Sequence, residues 1–390
     1  MKLKPVVFMN QVRVVLLILS VPVSFFSQDF KTVHDGVEYA EVTKEISGLK
    51  VNMNLLRLDL AKVRIDVVHA MDAAIGVEKT SSIASRHGAL AAINAGFFRL
   101  DSSLYAGDAA GILKIDGKLL SEPDRNRVAL FIGNKADRIG VTITHTGETL
   151  YLFKLKDGKN FRISGVNCER NAENAVILYT PEFHRTTLTD NGGMEIVVRE
   201  GKVVEIRDGK GSSTIPEKGY VISVRGKFRA LIRPLLKEGL EVSLDLIPTT
   251  QDEHIPAKPG GLVTSATYWW AEDIVGGVPQ LIKDGKIDIT WEPEKSSKAF
   301  VETRHPRTAV ARLKDRKFLM ITVDGRSEIS GGIGLQDLAE YLLSLGAVDA
   351  MNLDGGGSTT MYLDGKVVNR PSDKEGERKV SDALLVAPRR

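Results

Sequence analysis

The 390-residue sequence predicts an α+β fold, rich in mixed or antiparallel β-sheet, with few helices and one main catalytic domain. Three observations carry this. Apolar and polar residues alternate over Val51–Leu60 and Val63–Val68, as in half-buried strands. An acidic residue, glycine and lysine recur together between apolar runs, at Asp116-Gly117-Lys118, Asp157-Gly158-Lys159, Glu200-Gly201-Lys202, Asp284-Gly285-Lys286 and Asp364-Gly365-Lys366. Acidic–glycine pairs supply the positive φ of hairpin turns. Helical spacing is clearest at Leu335–Leu345, where Leu335, Leu338, Ala339, Leu342 and Leu343 share one face and Gly346 offers a stop.

In chain order, Lys2, Lys4 and Arg13 precede an uncharged apolar run from Val14 to Gln28. This is short for a spanning helix and reads as a secretory signal peptide over residues 1–27. An N-terminal β-rich portion at 28–79 and the main domain at 80–390 follow. The protein is therefore expected to be secreted, periplasmic or in the cell envelope, with no stable membrane span after signal cleavage. Thr80 or Ser81 can cap a short helix ending near Gly88, and Glu292–Glu302 is a further helical candidate. The stretch Pro248–Tyr268 is the most loop-like, and either crosses the mouth of a site or connects two halves. A net charge of +3, without a dense basic stripe, excludes nucleic acid as the expected partner. The single cysteine, Cys168, excludes an intramolecular disulfide and reads as a small buried apolar residue.

Chemistry concentrates where strands end. The run into Asn352-Leu353-Asp354-Gly355-Gly356-Gly357-Ser358-Thr359-Thr360 delivers a carboxylate, three glycines and three hydroxyls. Such glycines allow a ligand to approach the backbone, and their N–H groups can form an anion-binding concavity. A second buried-type strand, Phe318–Val323, delivers Asp324 in the same way. Asn94-Ala95-Gly96-Phe97-Phe98 offers an amide and an aromatic wall that suit a sugar. Arg307-Thr308 offers a guanidinium fork that matches phosphate. Glu195, after Asn191-Gly192-Gly193, is a third candidate acid. Each stretch also has a plain structural reading, as a turn, a core aromatic or a surface arginine.

Together these segments resemble the phosphodiester glycosidase family. The resemblance rests on Ile93–Phe98, Gly276-Gly277-Val278-Pro279 with Lys283-Asp284-Gly285, Arg307-Thr308-Ala309, Val323-Asp324-Gly325-Arg326, Asn352–Ser358 and Asn369-Arg370-Pro371-Ser372-Asp373, in that order over roughly residues 80 to 387. Two departures touch fine geometry. Ala95 stands where a second glycine is common, and Gly277-Val278-Pro279 lacks one glycine of the usual form.

The resemblance implies hydrolysis of the C1–O bond of a sugar-1-phosphodiester, such as a GlcNAc-1-phosphodiester or a phosphorylated envelope or exopolysaccharide. Asp354 and Asp324, with Glu195 as a third, are the candidate catalytic acids. Arg307 and the Gly355, Gly356 and Gly357 amides would steady the departing phosphate. Asn94, Gly96, Phe98, Thr308, Ser358 and Thr359 would contact the substrate. No required cofactor is expected, although Asp324, Asp354 and nearby carbonyls could hold Ca²⁺ or Mg²⁺. Two other readings stand beside this one: a non-catalytic binder of anionic envelope polysaccharide, and a metal-dependent phosphoesterase that cleaves P–O.

Overall fold

The computed structural model describes residues 29–123, 126–136, 139–146, 148–249 and 271–389. The predicted signal peptide and most of the Pro248–Tyr268 loop lie outside the described residues.

The fold is α+β, built mostly from antiparallel sheet. Its spine is an eight-stranded sheet in the order Lys31–His34, Val37–Ile46, Leu49–Leu58, Phe318–Val323, Arg307–Leu313, Ala347–Asn352, Gln280–Lys283 and Lys286–Ile287. Every pairing within it is antiparallel. The β-rich segment that begins the described chain thus pairs directly with the strand leading to Asp324. A parallel pairing occurs elsewhere, between Gly165–Val166 and Ala175–Tyr179.

Both faces of the spine are buried, which explains its continuous apolar runs. Leu56, Leu58, Phe318, Met320, Val310 and Met351 face one core, shared with Ile93, Met361 and Leu384 of a second sheet. That second sheet has the order Lys366–Val367, Met361–Leu363, Ala91–Asn94, Asp382–Pro388 and Val63–His69. Met53, Leu55, Leu319, Ile321, Ala309 and Ala311 face the other core, covered by Leu335, Leu338, Ala339, Tyr341 and Leu342 of helix Leu335–Ser344. The helix ends one residue before the predicted Leu345, with Gly346 at positive φ just beyond.

A further five-stranded sheet runs in the order Gly165–Val166, Ala175–Tyr179, Gly219–Arg225, Met194–Arg199 and Lys202–Asp208, and has its own core. Four of the five predicted acidic–glycine turns place both residues at positive φ, at Asp116-Gly117, Glu200-Gly201, Asp284-Gly285 and Asp364-Gly365. At the fifth only Gly158 does so, because five residues separate the paired ends Lys154 and Asn160 there.

One local reading changes and two details are added. Over Glu292–Glu302 only Lys298–Glu302 is helical, started by Ser297 Oγ accepting from the Phe300 N–H. Helix Lys227–Ile232 has no clear periodic signal in the sequence. Cys168 is half-buried, and burial pushes its thiol up, away from reactivity.

Candidate active site

The topology brings the two predicted aspartates to one edge of the spine. Strand Arg307–Leu313 lies between Phe318–Val323 and Ala347–Asn352 and runs antiparallel to both. The outer two strands therefore point the same way and end on the same side. Asp324 and Asp354 emerge there, flanking Arg307 and Thr308, with roughly 10 Å between their backbones across the intervening strand.

Asp354 is surrounded by protein on most sides, yet the residue keeps some contact with solvent. Burial raises its carboxyl to about 6, opposed by Ser358, the Gly355 N–H and the Arg378 charge, and helped by the charge of Asp382. Its Oδ1 accepts from the Gly355 N–H at 2.9 Å. Asp324 is also pushed up by burial, against the Arg370 N–H and the Asn369 amide, which donate to Oδ1 at 3.0 and 3.4 Å. Asn369 Nδ2 also donates to the Thr359 carbonyl, and Asn369 Oδ1 accepts from the Met361 N–H. Asn369 therefore ties Asp324 to the far side of the glycine turn.

The turn Gly356–Ser358 is a single 3₁₀ turn. Gly356 sits at φ +61°, a conformation that side-chain-bearing residues adopt at a cost. Gly357 is needed for space: a Cβ there would lie 2.2 Å from both Arg378 Nη2 and Asp373 Oδ1. Around this turn, the Thr359, Thr360 and Ser372 hydroxyls and Asn352 Oδ1 are buried without a hydrogen-bond partner. Leaving one such group unmade costs about 1–3 kcal/mol. A cluster of them beside two acids raised by burial is unusual in a protein interior and singles out this edge as the candidate site.

Several predicted ligands have other work. Arg307 is 1% exposed, and its guanidinium donates to the carbonyls of Ile333, Phe300 and Thr303 at 3.3, 2.6 and 2.9 Å. It lies 4.8 Å from the Phe300 ring centroid, and burial lowers it to about 10. It locks the helix Lys298–Glu302 to the strand, so the Nε and Nη2 donors expected to meet a phosphate are spent within the protein. Asn94 and Thr308 are internal braces. Asn94 Nδ2 donates to the Asp354 carbonyl at 2.7 Å, and Asn94 Oδ1 accepts from Thr308 Oγ1 at 2.7 Å and the Thr360 N–H at 3.1 Å. Neither faces a sugar; both fix Asp354. Two of the three glycine amides are spent internally, Gly355 on Asp354 and Gly356 on the Pro306 carbonyl at 2.9 Å, so the triplet is not an open anion nest. Phe98 packs against the cluster containing Ile83 and Val380, whereas Phe97 meets Phe300 edge-on at 6.2 Å.

Glu195 lies in a different sheet. It is fully buried, and its carboxylate accepts from Thr189 Oγ1 at 2.7 Å and the Ser213 N–H at 2.8 Å. Its partners belong to that sheet's own loops, so it is a scaffold acid and not the third member of the site.

Two residues escaped the sequence reading. Asp382 is 1% exposed and raised by burial, and its Oδ1 accepts from the Gly96 N–H at 2.5 Å. A Cβ on Gly96 would lie 3.2 Å from that oxygen, which explains the glycine. Arg326 follows Asp324 by two residues and is exposed beside Gly356. The Arg326 position in Val323-Asp324-Gly325-Arg326 was the available signal; nothing local marked Asp382. Among the described residues, no three His, Cys, Asp or Glu side chains gather as a metal-binding set. A cleft of about 650 Å³ lies elsewhere, lined by Arg64, Asp66, His69, Asp72, His87 and Asp273 among others. Its charges pair with one another, as in Arg64–Asp66 and His87–Asp72, and it includes no residue of the glycine turn.

Comparison with known proteins settles the family. The sequence pattern of phosphodiester glycosidases matches residues 192–387, half of the chain. The chain belongs to the phosphodiester glycosidase family. The match omits Asn94–Gly96, which the fold nevertheless places against Asp354. A prophage-derived uncharacterized protein of Bacillus subtilis is 38% identical over 107 residues, covering 27% of this chain and 16% of that protein. Bovine N-acetylglucosamine-1-phosphodiester alpha-N-acetylglucosaminidase is 37% identical over 109 residues, covering 26% of this chain and 20% of the enzyme. The chain thus matches only about a fifth of the length of these relatives. A hypothetical protein from Synechocystis shares the fold, with a TM-score of 0.73 at 23% identity over 90% of this chain and 62% of that one.

Proposed function

We propose that this phosphodiester glycosidase hydrolyses the C1–O bond of a sugar-1-phosphodiester, releasing the sugar and a phosphate monoester. The observation that carries the reading is the pairing of Asp354 and Asp324, both pushed up by burial, at one sheet edge lined with unpartnered buried hydroxyls. The Thr359 hydroxyl, which lacks a partner, is read as a ligand of a sugar ring hydroxyl. An oxocarbenium-like transition state needs carboxylates on its faces. A carboxyl at about 6 is mostly charged at neutral pH, so Asp354 can act as base or nucleophile towards C1. Asp324 then stabilises the positive charge that develops on the sugar ring. The leaving phosphate monoester has a second pKa of about 6 and departs without a strong general acid.

A hard cation fits this edge poorly. Asp324 is capped by N–H donors, and the Arg378 charge is close enough to Asp354 to depress it. Ca²⁺ or Mg²⁺ would want several oxygen ligands instead. No step is therefore routed through a metal. The native substrate is read as a GlcNAc-1-phosphodiester or a phosphorylated glycan of the envelope, met after secretion.

The test is incubation of the purified protein with UDP-GlcNAc and other sugar-1-phosphodiesters in ¹⁸O-water. Label in the released sugar supports C–O cleavage. Label in the phosphate would make the protein a phosphoesterase, and binding without any release would make it a polysaccharide binder.

A further inference from the structure

With Arg307 committed to three carbonyls, the site needs another cation for the phosphate. Arg326 has the properties required. It is exposed at the edge where Asp324 and Asp354 emerge. It sits at φ +58°, a left-handed conformation that costs a non-glycine residue on the order of 1–2 kcal/mol. Among the described residues its guanidinium makes no hydrogen bond and no ion pair. Of the other arginines here, Arg378 spends its fork on Asp373, with Nε and Nη2 donating at 2.7 and 3.0 Å, and the charge of Arg370 acts on Asp324, which its N–H also holds.

The glycine turn explains where the Arg326 guanidinium rests. A Cβ added to Gly356 would lie 3.0 Å from Arg326 Nη2, and 3.5 Å from Cζ and Nη1. The planar group thus lies against the bare backbone of the turn that follows Asp354. Arg326 also reaches electrostatically inward, since its charge helps to lower both His305 and Arg307. A guanidinium with five free N–H donors in a fork matches two oxygens of a phosphate.

We propose that Arg326, seated on Gly356, is the residue that recognises the phosphate of the substrate and so selects phosphodiesters over neutral glycosides. This rests on the reading of the site as a sugar-1-phosphodiester hydrolase. It assigns the glycine triplet a role different from an amide nest: Gly356 makes room for the cation that binds the anion.

The experiment is calorimetric binding of UDP to the wild-type protein and to Arg326→Ala and Arg326→Lys, alongside kcat/KM for UDP-GlcNAc. Arg326→Ala should weaken UDP on the order of 100-fold. Arg326→Lys should recover only part of that, because the point charge remains while the fork is lost. Gly356→Ala should weaken UDP in the same direction by displacing the guanidinium. Equal UDP affinity in wild type and Arg326→Ala, or no UDP binding by wild type, overturns the proposal. Arg326-dependent UDP binding without turnover would uphold the anion site while removing the glycosidase reading. Turnover that is indifferent to Arg326 would do the reverse.

Discussion

Two regions of this molecule bury a carboxylate beside arginines, and they do so to opposite ends. In the sheet that contains Met194–Arg199, Glu195 is fully buried, and each of its oxygens receives a donor from Thr189 or Ser213. Arg170 of the same region donates to Ser223 and Asp190. At the glycine turn, by contrast, Asp354 accepts from the Gly355 N–H and is steadied by the Ser358 hydroxyl, while the Thr359 and Thr360 hydroxyls beside it have no partner. The carboxylate of Glu195 is fully bonded within the protein, although Ser213 Oγ and Arg170 Nε beside it lack partners. What distinguishes the glycine turn is that unpartnered hydroxyls gather beside two acids raised by burial at one sheet edge.

The largest test of that contrast is Asp354→Asn. Turnover of a sugar-1-phosphodiester should fall on the order of 10³-fold. The same variant should gain about 1–3 kcal/mol of stability at pH 7.5, since the charged form no longer has to be buried. The sign follows from linkage. The folded value near 6 lies above the unfolded one, so the cost is absent below about pH 4, grows as pH rises through 6, and is complete above it. Urea melts at pH 4 and pH 7.5 check this; a gain that persists at pH 4 would refute it.

Next in size is the pair of arginines. Arg307→Ala strands three carbonyls and should cost about 3 kcal/mol or more. Arg326→Ala should leave the melting temperature unchanged and act only on binding. Denaturant melts of both, read beside UDP affinity, would break the comparison if the effects were exchanged. Glu195→Gln is smaller. It should cost about 1–2 kcal/mol of stability while kcat/KM stays within about two-fold, because it weakens a scaffold bond only. A collapse of activity at full stability would return Glu195 to the site.

Smaller again, Thr359→Val should change stability by less than about 0.5 kcal/mol, since no hydrogen bond is lost. It should still lower kcat/KM about tenfold, the loss of one hydrogen bond to a sugar hydroxyl. The least effect is expected from EDTA, which should leave turnover unchanged; loss of activity restored by Ca²⁺ or Mg²⁺ would overturn the metal-free reading.

Much of this was legible in the chain itself. Alternation in Val51–Leu60 anticipates strand Leu49–Leu58, and the acidic–glycine pairs anticipate their hairpins, because both signals act between neighbours. The motif around Asp354 likewise identifies the family, since its glycines answer to local φ and close approach. The roles of individual polar groups were not legible. Asn94 looked like a sugar ligand, but its amide meets the Asp354 carbonyl 260 residues away. Asp382 carried no signal, but it meets Gly96 across 286 residues. Arg307 and Arg326 carry the same chemistry in sequence, and only the packing of helix Lys298–Glu302 occupies one and leaves the other open. Sequence therefore determined which groups arrive at the sheet edge. Tertiary structure decided which remain unsatisfied there, because a buried hydrogen bond is fixed by distance in space and not by distance along the chain.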